Sequence, residues 1–204
     1  QKLIDGYKSK EDIHRLTASE VFGVPLAEVT KEQRSAAKAV NFGIIYGISS
    51  FGLSEDIHVT KKEAQRYFEK YSRVKEYLDE LVASAEQSGC SKTLFGRMRK
   101  IDEIHSTNFM RKEFGKRAAM NSPIQGTAAD IMKIAMGSIA RRLKEEHLQA
   151  KMIMQVHDEL NFNVPKDEIE QVKHIVTEQM QNVVHLSVPL LAEVGVGTNW
   201  LEAH

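Results

Sequence analysis

Helical periodicity is the feature that most constrains the fold of this chain. In the segment that ends at Gly89, apolar side chains recur at three-to-four spacing, at Tyr67, Tyr71, Val74, Leu78, Leu81 and Val82. This spacing places them on one face of an α-helix, for which Gly89 is a suitable C-cap. The segments TKEQ at 30–33 and TKKE at 60–63 fit the capping-box pattern, so a helix is predicted to begin at each.

Strands are predicted at only a few places. The segment CSKTLFGRMRKI at 90–101 predicts a short hairpin, and alternating apolar residues at 152–156 and 159–164 predict a second one. Helices are predicted from Thr107 to Asn121, where Ser122-Pro123 should break the helix, from about 125 to 147, and from 167 to about 184. The segment VPLLAEVGV at 188–196 predicts a last strand. The chain is therefore predicted to be α+β and mostly helical, with a helical unit over 1–124 and a small antiparallel sheet with packed helices over 125–204.

The composition is that of an ordinary globular protein. The 204 residues are 42% hydrophobic and 27% charged, and 28 basic residues balance 28 acidic ones. No global basic field therefore indicates nucleic-acid binding, although eight basic residues lie between Lys92 and Arg117. The alternative for this cluster is an ordinary solvated face.

A single cysteine, Cys90, excludes an internal disulfide, and no run approaches the roughly 20 apolar residues of a membrane helix. We expect a cytoplasmic protein without a membrane partner.

A stripe of cations and aromatic rings is the first candidate site. Four side chains follow one another at four-residue steps in the segment RSAAKAVNFGIIYG: Arg34, Lys38, Phe42 and Tyr46. Each step advances only about 40° around a helix, so these side chains share one slanting face. Such a face suits a ligand with a polyphosphate and a base. The alternative is two solvated cations beside two core aromatics.

Two adjacent carboxylates at a hairpin turn are the second candidate site. His157 and Asp158 lie between the two apolar strands, where Asn-Gly or Asp-Gly would be the usual turn residues, and Glu159 follows Asp158 directly. Carboxylates on a rigid turn can bind a hard cation such as Mg²⁺ together with substrate phosphates. The alternative is a turn that is polar because it faces water. Two neighbouring carboxylates do not complete a two-metal site, so a further carboxylate is expected elsewhere.

A third candidate lies in the segment RAAMNSPIQGTAADI at 117–131. Arg117, Asn121 and Gln125 present hydrogen-bonding groups around the predicted helix break, as reading of a DNA minor groove would require. The alternative is a capped helix start.

These stretches together resemble the family A DNA polymerases. The resemblance extends over nearly the whole chain and is carried, in chain order, by DIHRLTASEVFG, RSAAKAVNFGIIYG, NSPIQGTAADI, QVHDEL and EVGVGTNWLEAH. RSAAKAVNFGIIYG resembles motif B on the mobile helix of the fingers, at about 31–47, and QVHDEL resembles motif C of the palm, on a hairpin at about 151–164.

The resemblance implies template-directed DNA synthesis by two-metal nucleotidyl transfer, with Mg²⁺, deoxynucleotides and primer-template DNA. Asp158 would bind the metal pair, Glu159 would support it, and Lys38 would neutralise or protonate the leaving pyrophosphate. Nucleotide binding is implied for His14, Arg34, Lys38, Phe42 and Tyr46. Contacts with DNA are implied for Arg117, Asn121, Gln125, Gln155 and His157.

The chain also departs from the family pattern. Motif A, which carries the other metal-binding aspartate, should lie before DIHRLTA and is not found, so the chain is expected to be a C-terminal fragment with little activity of its own. A monomer is expected for the parent protein and self-association is open for the fragment. Met98, Lys100 and Lys116 stand where the family usually has an Arg, an aromatic and a Glu, which affects the expected DNA contacts. Two alternatives remain: a non-catalytic module that binds nucleotide or DNA, and a metal-dependent phosphoester hydrolase.

Overall fold

The computed structural model describes residues 2–9, 11–46, 52, 54–55 and 72–203. The chain divides into two compact units, Gln1–Gly126 and Thr127–His204. The α-helices of the described residues are α1 (Lys2–Lys8), α2 (Ile13–Phe22), α3 (Lys31–Ile45), α4 (Ser72–Ser88), α5 (Phe109–Glu145), α6 (Ile169–Gln181) and α7 (Trp200–Ala203). Two antiparallel hairpins pair β1 (Cys90–Lys92) with β2 (Met98–Lys100) and β3 (Lys151–Val156) with β4 (Glu159–Asn163). The predicted mostly helical α+β class is confirmed.

Helix ends in the first unit follow the signals in the sequence. At the start of α3 the amide of Thr30 donates to Gln33 Oε1 (3.0 Å) and the amide of Gln33 donates to Thr30 Oγ1 (3.2 Å), which confirms the predicted capping box. Helix α4 ends at Gly89, whose φ of 68° is the left-handed conformation that glycine adopts without strain. The second predicted box, at 60–63, lies outside the described residues, as do Tyr67 and Tyr71.

The predicted break at Ser122-Pro123 is wrong. Helix α5 continues from Phe109 to Glu145 with Pro123 inside it. Proline removes one helical hydrogen bond and costs about 3 kcal/mol in a free helix. Here tertiary contacts hold the helix around it, since Ser122 and Pro123 are buried and Arg99 Nη1 donates to Ser122 Oγ at 2.9 Å. The separate helices predicted at 107–121 and 125–147 are therefore one.

The second hairpin contains a β-bulge that the alternating pattern did not predict. Met152 pairs with Phe162 and Met154 pairs with Asn161, so Ile153 is the extra residue and its side chain is 64% exposed. Beyond the bulge the pairing of the two strands is shifted by one residue. Gln155 therefore lies opposite Leu160, whereas Met154 would lie opposite Leu160 in a hairpin without a bulge.

The predicted strand at 188–196 is wrong as well, because within the described residues the sheet contains β3 and β4 alone. An alternating apolar pattern makes a strand only where a neighbouring strand pairs with it.

Each unit has its own core. In the first unit, Ala18 of α2 and Ala37 of α3 are fully buried together with Val29. A separate cluster joins α4, α5 and the segment between them, through Ala85, Ile101, Ile104 and Ala119. In the second unit the core joins α5 and α6, with Met152, Leu160 and Phe162 of the hairpin packed against it. Among the described residues, no helix has the length and apolar character needed to span a bilayer.

Two glycines of α5 differ in how closely other parts of the chain pack against them. A Cβ on Gly115 would lie 2.7 Å from the backbone nitrogen of Ile104, whereas a Cβ on Gly137 would meet nothing within 4 Å. We expect Gly115→Ala to lower the free energy of unfolding by about 1–3 kcal/mol, because backbone atoms must move apart. Gly137→Ala should raise it by up to about 1 kcal/mol, which is the ordinary helix preference. Urea unfolding of both variants measures this, and equal stabilisation by the two would contradict the packing at Ile104.

Candidate functional site

The predicted stripe is present on α3 and is open to solvent. Lys38 Nζ lies 5.9 Å from the centre of the Phe42 ring, and the rings of Phe42 and Tyr46 stack at 6.1 Å with only 10° between their planes. Phe42 is 42% exposed and Tyr46 is 41% exposed. The alternative of two core aromatics is therefore wrong, and cation and rings form one continuous surface.

The position of α3 explains why this face is exposed. Ala37 and Val40 are fully buried, so the helix turns those positions toward the interior of the first unit. Positions 34, 38 and 42 lie on a different side of the helix and remain at its surface. Tyr46 follows the last residue of α3, and its amide still donates to the carbonyl of Phe42 (2.9 Å), which keeps it in line with the stripe.

Arg34 makes an ion pair that the sequence did not indicate. Its Nε donates to Asp12 Oδ2 at 2.6 Å, while Asp12 Oδ1 accepts from the amides of His14 and Arg15 as the N-cap of α2. Burial acts to raise the pKa of Asp12. The hydrogen bond from Arg34, the two backbone amides and the charge of Arg34 outweigh it, and the pKa of Asp12 is lowered. The aspartate therefore both starts α2 and orients the first cation of the stripe.

His14 lies beside the same stripe. Its ring centre is 5.9 Å from that of Phe42, and its Nδ1 is 3.1 Å from Asn41 Nδ2. Burial lowers the pKa of His14, the charge of Asp12 acts to raise it, and the charges of Arg34 and Lys38 lower it further. The structure thus brings together the predicted nucleotide-binding residues His14, Arg34, Lys38, Phe42 and Tyr46.

Sequence reasoning missed three residues of this cluster: Asp12, Thr17 and Asn41. Asp12 could have been found as an N-cap, since it directly precedes an amphipathic segment. Thr17 Oγ1 donates to Asn41 Oδ1 at 3.1 Å across 24 residues of sequence, and nothing in the local pattern of either residue indicates that contact.

In the second unit, the predicted hairpin turn consists of His157 and Asp158. Val156 pairs with Glu159, so the turn has two residues, and His157 has a φ of 51°, which is unusual for a residue other than glycine. Gln155 Nε2 donates to the carbonyl of His157 at 2.7 Å and so supports the turn. The side chains of Gln155, His157 and Asp158 are exposed around the tip.

The two carboxylates of this hairpin differ in their surroundings. Asp158 is exposed at the tip, whereas Glu159 is partly buried and its Oε1 accepts a hydrogen bond from Trp200 Nε1 at 2.7 Å. Carboxylate oxygens are suitable ligands for Mg²⁺. Asp158 fits as one such ligand. Within the part of the chain that the structure describes, no three carboxylate, histidine or cysteine side chains cluster to complete a metal site.

The third candidate lies along α5 and not around a helix break. Arg117, Asn121 and Gln125 follow one another at four-residue steps on the continuous helix, with Arg117 and Gln125 exposed. Asn121 Oδ1 is buried and has no hydrogen-bond partner. Beside this face, Arg97 Nη2 donates to the carbonyl of Gly126 (3.0 Å), and a small polar cavity lies between the β1–β2 hairpin and α5.

The basic cluster between Lys92 and Arg117 is partly neutralised. Three of its lysines are in ion pairs: Lys100 with Asp102 (2.8 Å), Lys112 with Glu86 (3.4 Å) and Lys116 with Glu113 (2.7 Å). Surface pairs of this kind contribute about 0–1 kcal/mol to stability.

The ion pair between Asp12 and Arg34 predicts a pH dependence. Because the pKa of Asp12 is lowered in the folded protein, its ionised form stabilises the fold above the unfolded pKa of about 3.9, and this contribution is lost as the pH falls through the folded pKa. Asp12→Asn keeps a capping side chain and removes the charge. We expect the wild type to have a larger free energy of unfolding than Asp12→Asn at pH 7, and we expect this difference in free energy to shrink below about pH 4. Chemical unfolding at each pH measures it, with Glu11→Gln as the neighbouring charge control. A difference that grows toward low pH would contradict the ion pair.

Comparison with known proteins places these features in a family. The family model described as DNA polymerase family A matches residues 1–202. The chain is 53% identical to the DNA polymerase I of Caldicellulosiruptor bescii, over 99% of this chain and 24% of that protein. It is 48% identical to the DNA polymerase I of Pseudomonas aeruginosa, over 99% of this chain and 23% of that protein. The chain thus spans about a quarter of the length of these curated relatives.

A solved structure agrees with the sequence relatives. The POL domain of Pol1 from M. smegmatis, in complex with DNA primer-template and dNTP, superposes with a TM-score of 0.92 at 39% identity. The match covers 98% of this chain and 36% of that one. A family model that matches nearly every residue, together with relatives near half identity over the same span, shows that the chain belongs to DNA polymerase family A.

Proposed function

We propose that the full-length protein carrying this chain catalyses template-directed DNA synthesis, and that this chain supplies the nucleotide-binding stripe and one metal-binding carboxylate. The observation that carries the proposal is the exposed stripe of Lys38, Phe42 and Tyr46, adjoined by Arg34 and His14, in a member of DNA polymerase family A. The Pol1 domain from M. smegmatis, whose structure contains primer-template and dNTP, supports the choice of substrates.

The stripe is suited to a deoxynucleoside triphosphate. Arg34 uses its Nε for Asp12. A guanidinium has further N–H groups on its two terminal nitrogens, so Arg34 can keep this contact and still donate to phosphate oxygens. Lys38 supplies a second positive charge and would neutralise or protonate the pyrophosphate that leaves. Phe42 would pack against the sugar and base, and Tyr46 would occupy the template side of the stripe.

The hairpin is suited to bind a divalent cation. Asp158 would bind Mg²⁺ with a carboxylate oxygen, from a two-residue turn that Gln155 supports. When bound, the metal pair stabilises the charge that develops at the α-phosphate and favours the ionised primer 3′ hydroxyl. Glu159 is oriented by Trp200 and would have a supporting role. We propose that the second aspartate ligand is supplied from outside residues 1–204.

Primer-template DNA would contact two further surfaces. Arg117, Asn121 and Gln125 offer one line of hydrogen-bonding side chains on α5, of which Arg117 and Gln125 are exposed. Gln155 and His157 lie at the hairpin tip beside Asp158 and are proposed to contact the primer. The ion-paired lysines of the 92–117 cluster would exchange their carboxylates for phosphates.

The metal role of Asp158 can be tested by substitution in the full-length protein. We expect Asp158→Asn to lower primer extension at least about a hundredfold, because several kcal/mol of charge stabilisation depend on the carboxylate. DNA binding, measured by mobility shift, should change little. Asp167→Asn, which removes another exposed carboxylate of the same unit, is the matched control. Undiminished synthesis by Asp158→Asn would remove this residue from the metal site.

The proposed need for an external ligand predicts how the 204-residue chain behaves alone. With primer-template, Mg²⁺ and the four deoxynucleotides, it should give no detectable extension, while the full-length protein extends the same primer. Robust extension by the chain alone would refute the missing-ligand proposal. If the full-length protein also binds DNA in a salt-dependent manner but extends nothing, the chain is a non-catalytic binding module instead.

A further inference from the structure

We propose that Asn41 is a positioning residue that holds the His14 imidazole in the tautomer with its proton on Nε2, so that this nitrogen donates to a phosphate oxygen of the bound nucleotide. The phosphate part of this inference rests on the proposed function. The tautomer itself follows from contacts within the first unit.

The contact between Asn41 and His14 defines the donor and the acceptor. The amide nitrogen Nδ2 of Asn41 lies 3.1 Å from His14 Nδ1. An amide nitrogen carries only donors, so Nδ1 must be the unprotonated acceptor for this hydrogen bond to form. A neutral imidazole has one protonated nitrogen, and the remaining proton is therefore on Nε2.

Thr17 holds the other end of the Asn41 amide. Thr17 is 1% exposed, and its hydroxyl donates to Asn41 Oδ1 at 3.1 Å. With the amide oxygen engaged by this hydroxyl, the amide nitrogen faces His14. Thr17 lies three residues after His14 on α2, and Asn41 reaches both from α3, so the arrangement depends on the packing of the two helices.

The charges around His14 also favour a neutral ring. Burial lowers its pKa, and Arg34 and Lys38 on α3 lower it further, against the opposing effect of Asp12 at the start of α2. A protonated imidazolium would carry a proton on Nδ1 as well, facing the N–H groups of Asn41, and would lose that hydrogen bond. His14 is thus a directed neutral donor, and Arg34 and Lys38 supply the positive charge.

The Phe42 ring also lies beside the imidazole of His14. The centre of the Phe42 ring lies 5.9 Å from that of His14, at an interplanar angle of 42°. Phe42 follows Asn41 directly in α3, so one helix contacts the imidazole both at its Nδ1 edge and through a neighbouring ring. Holding the donor before the ligand arrives lowers the entropy lost on binding.

The tautomer can be read directly in the full-length protein labelled with ¹⁵N-histidine, with His14→Gln to assign the signal. Long-range ¹H–¹⁵N spectra should show His14 protonated on Nε2 and not on Nδ1. In Asn41→Asp the carboxylate can only accept, so the pKa of His14 should rise, and at a pH above that pKa the single remaining imidazole proton should lie on Nδ1.

The effect on nucleotide binding is expected mainly in KM. At a pH where His14 is neutral in both proteins, the KM for deoxynucleotide should rise roughly three- to tenfold in Asn41→Asp, the size expected for one directed hydrogen bond, with kcat changed much less. Thr17→Val, which keeps the shape but removes the hydroxyl, should shift the tautomer toward a mixture. Thr17→Ser keeps the hydroxyl and should keep the wild-type spectrum.

The outcomes separate this inference from the proposed function. His14 protonated on Nδ1 in the wild type, or an unchanged spectrum in both Asn41→Asp and Thr17→Val, would overturn the assignment to Asn41. An altered spectrum with an unaltered KM would overturn the proposed donation to phosphate. Because the spectra need neither nucleotide nor turnover, the expected tautomer in a protein without polymerase activity would support the Asn41 assignment while the proposed function fails.

Discussion

The burial of one side of α3 is the constraint on which the candidate nucleotide site depends. Ala37 and Val40 are fully enclosed, and this fixes the rotation of the helix about its axis. If α3 were rotated differently about its axis, Lys38 or the two aromatic rings would face the interior of the first unit. An unpaired lysine charge buried there would be unfavourable. The same packing that closes the core therefore leaves Lys38, Phe42 and Tyr46 at the surface.

The contacts between α2 and α3 organise the polar part of that site. Asp12 caps α2 and also holds Arg34, while Thr17 and Asn41 connect α2 to α3 beneath His14. Each of these side chains has a structural partner and also orients a group that faces outward. Stability and the proposed ligand recognition are thus coupled here, because a change that loosens the two helices would also misdirect Arg34 and His14.

The hairpin of the second unit shows how a small backbone irregularity positions a candidate metal-binding carboxylate. The bulge at Ile153 shifts the register so that only two residues, His157 and Asp158, form the turn. His157 adopts a positive φ, a conformation that is strained by about 1–3 kcal/mol for most residues other than glycine. Gln155 compensates by donating to the carbonyl of His157. An Asn-Gly turn would fold more easily, but it would place no carboxylate at the tip.

Local patterns predicted most of the helices, the capping box at Thr30 and Gln33, both hairpins and the stripe on α3, because each depends on residues close together in the sequence. The continuity of α5 through Pro123, the bulge at Ile153 and the unpaired segment at 188–196 were not predictable in this way. Each depends on which distant backbone or side chain is available as a partner.

The same distinction applies to the site. The sequence by itself determined the residue types and their spacing, and therefore the family resemblance and the list of candidate side chains. Only the tertiary structure decided that Asp12 holds Arg34, that Asn41 faces His14 and that Trp200 binds Glu159. These contacts join residues 22, 27 and 41 positions apart, and hydrogen bonds over such separations exist only after the helices and strands have packed.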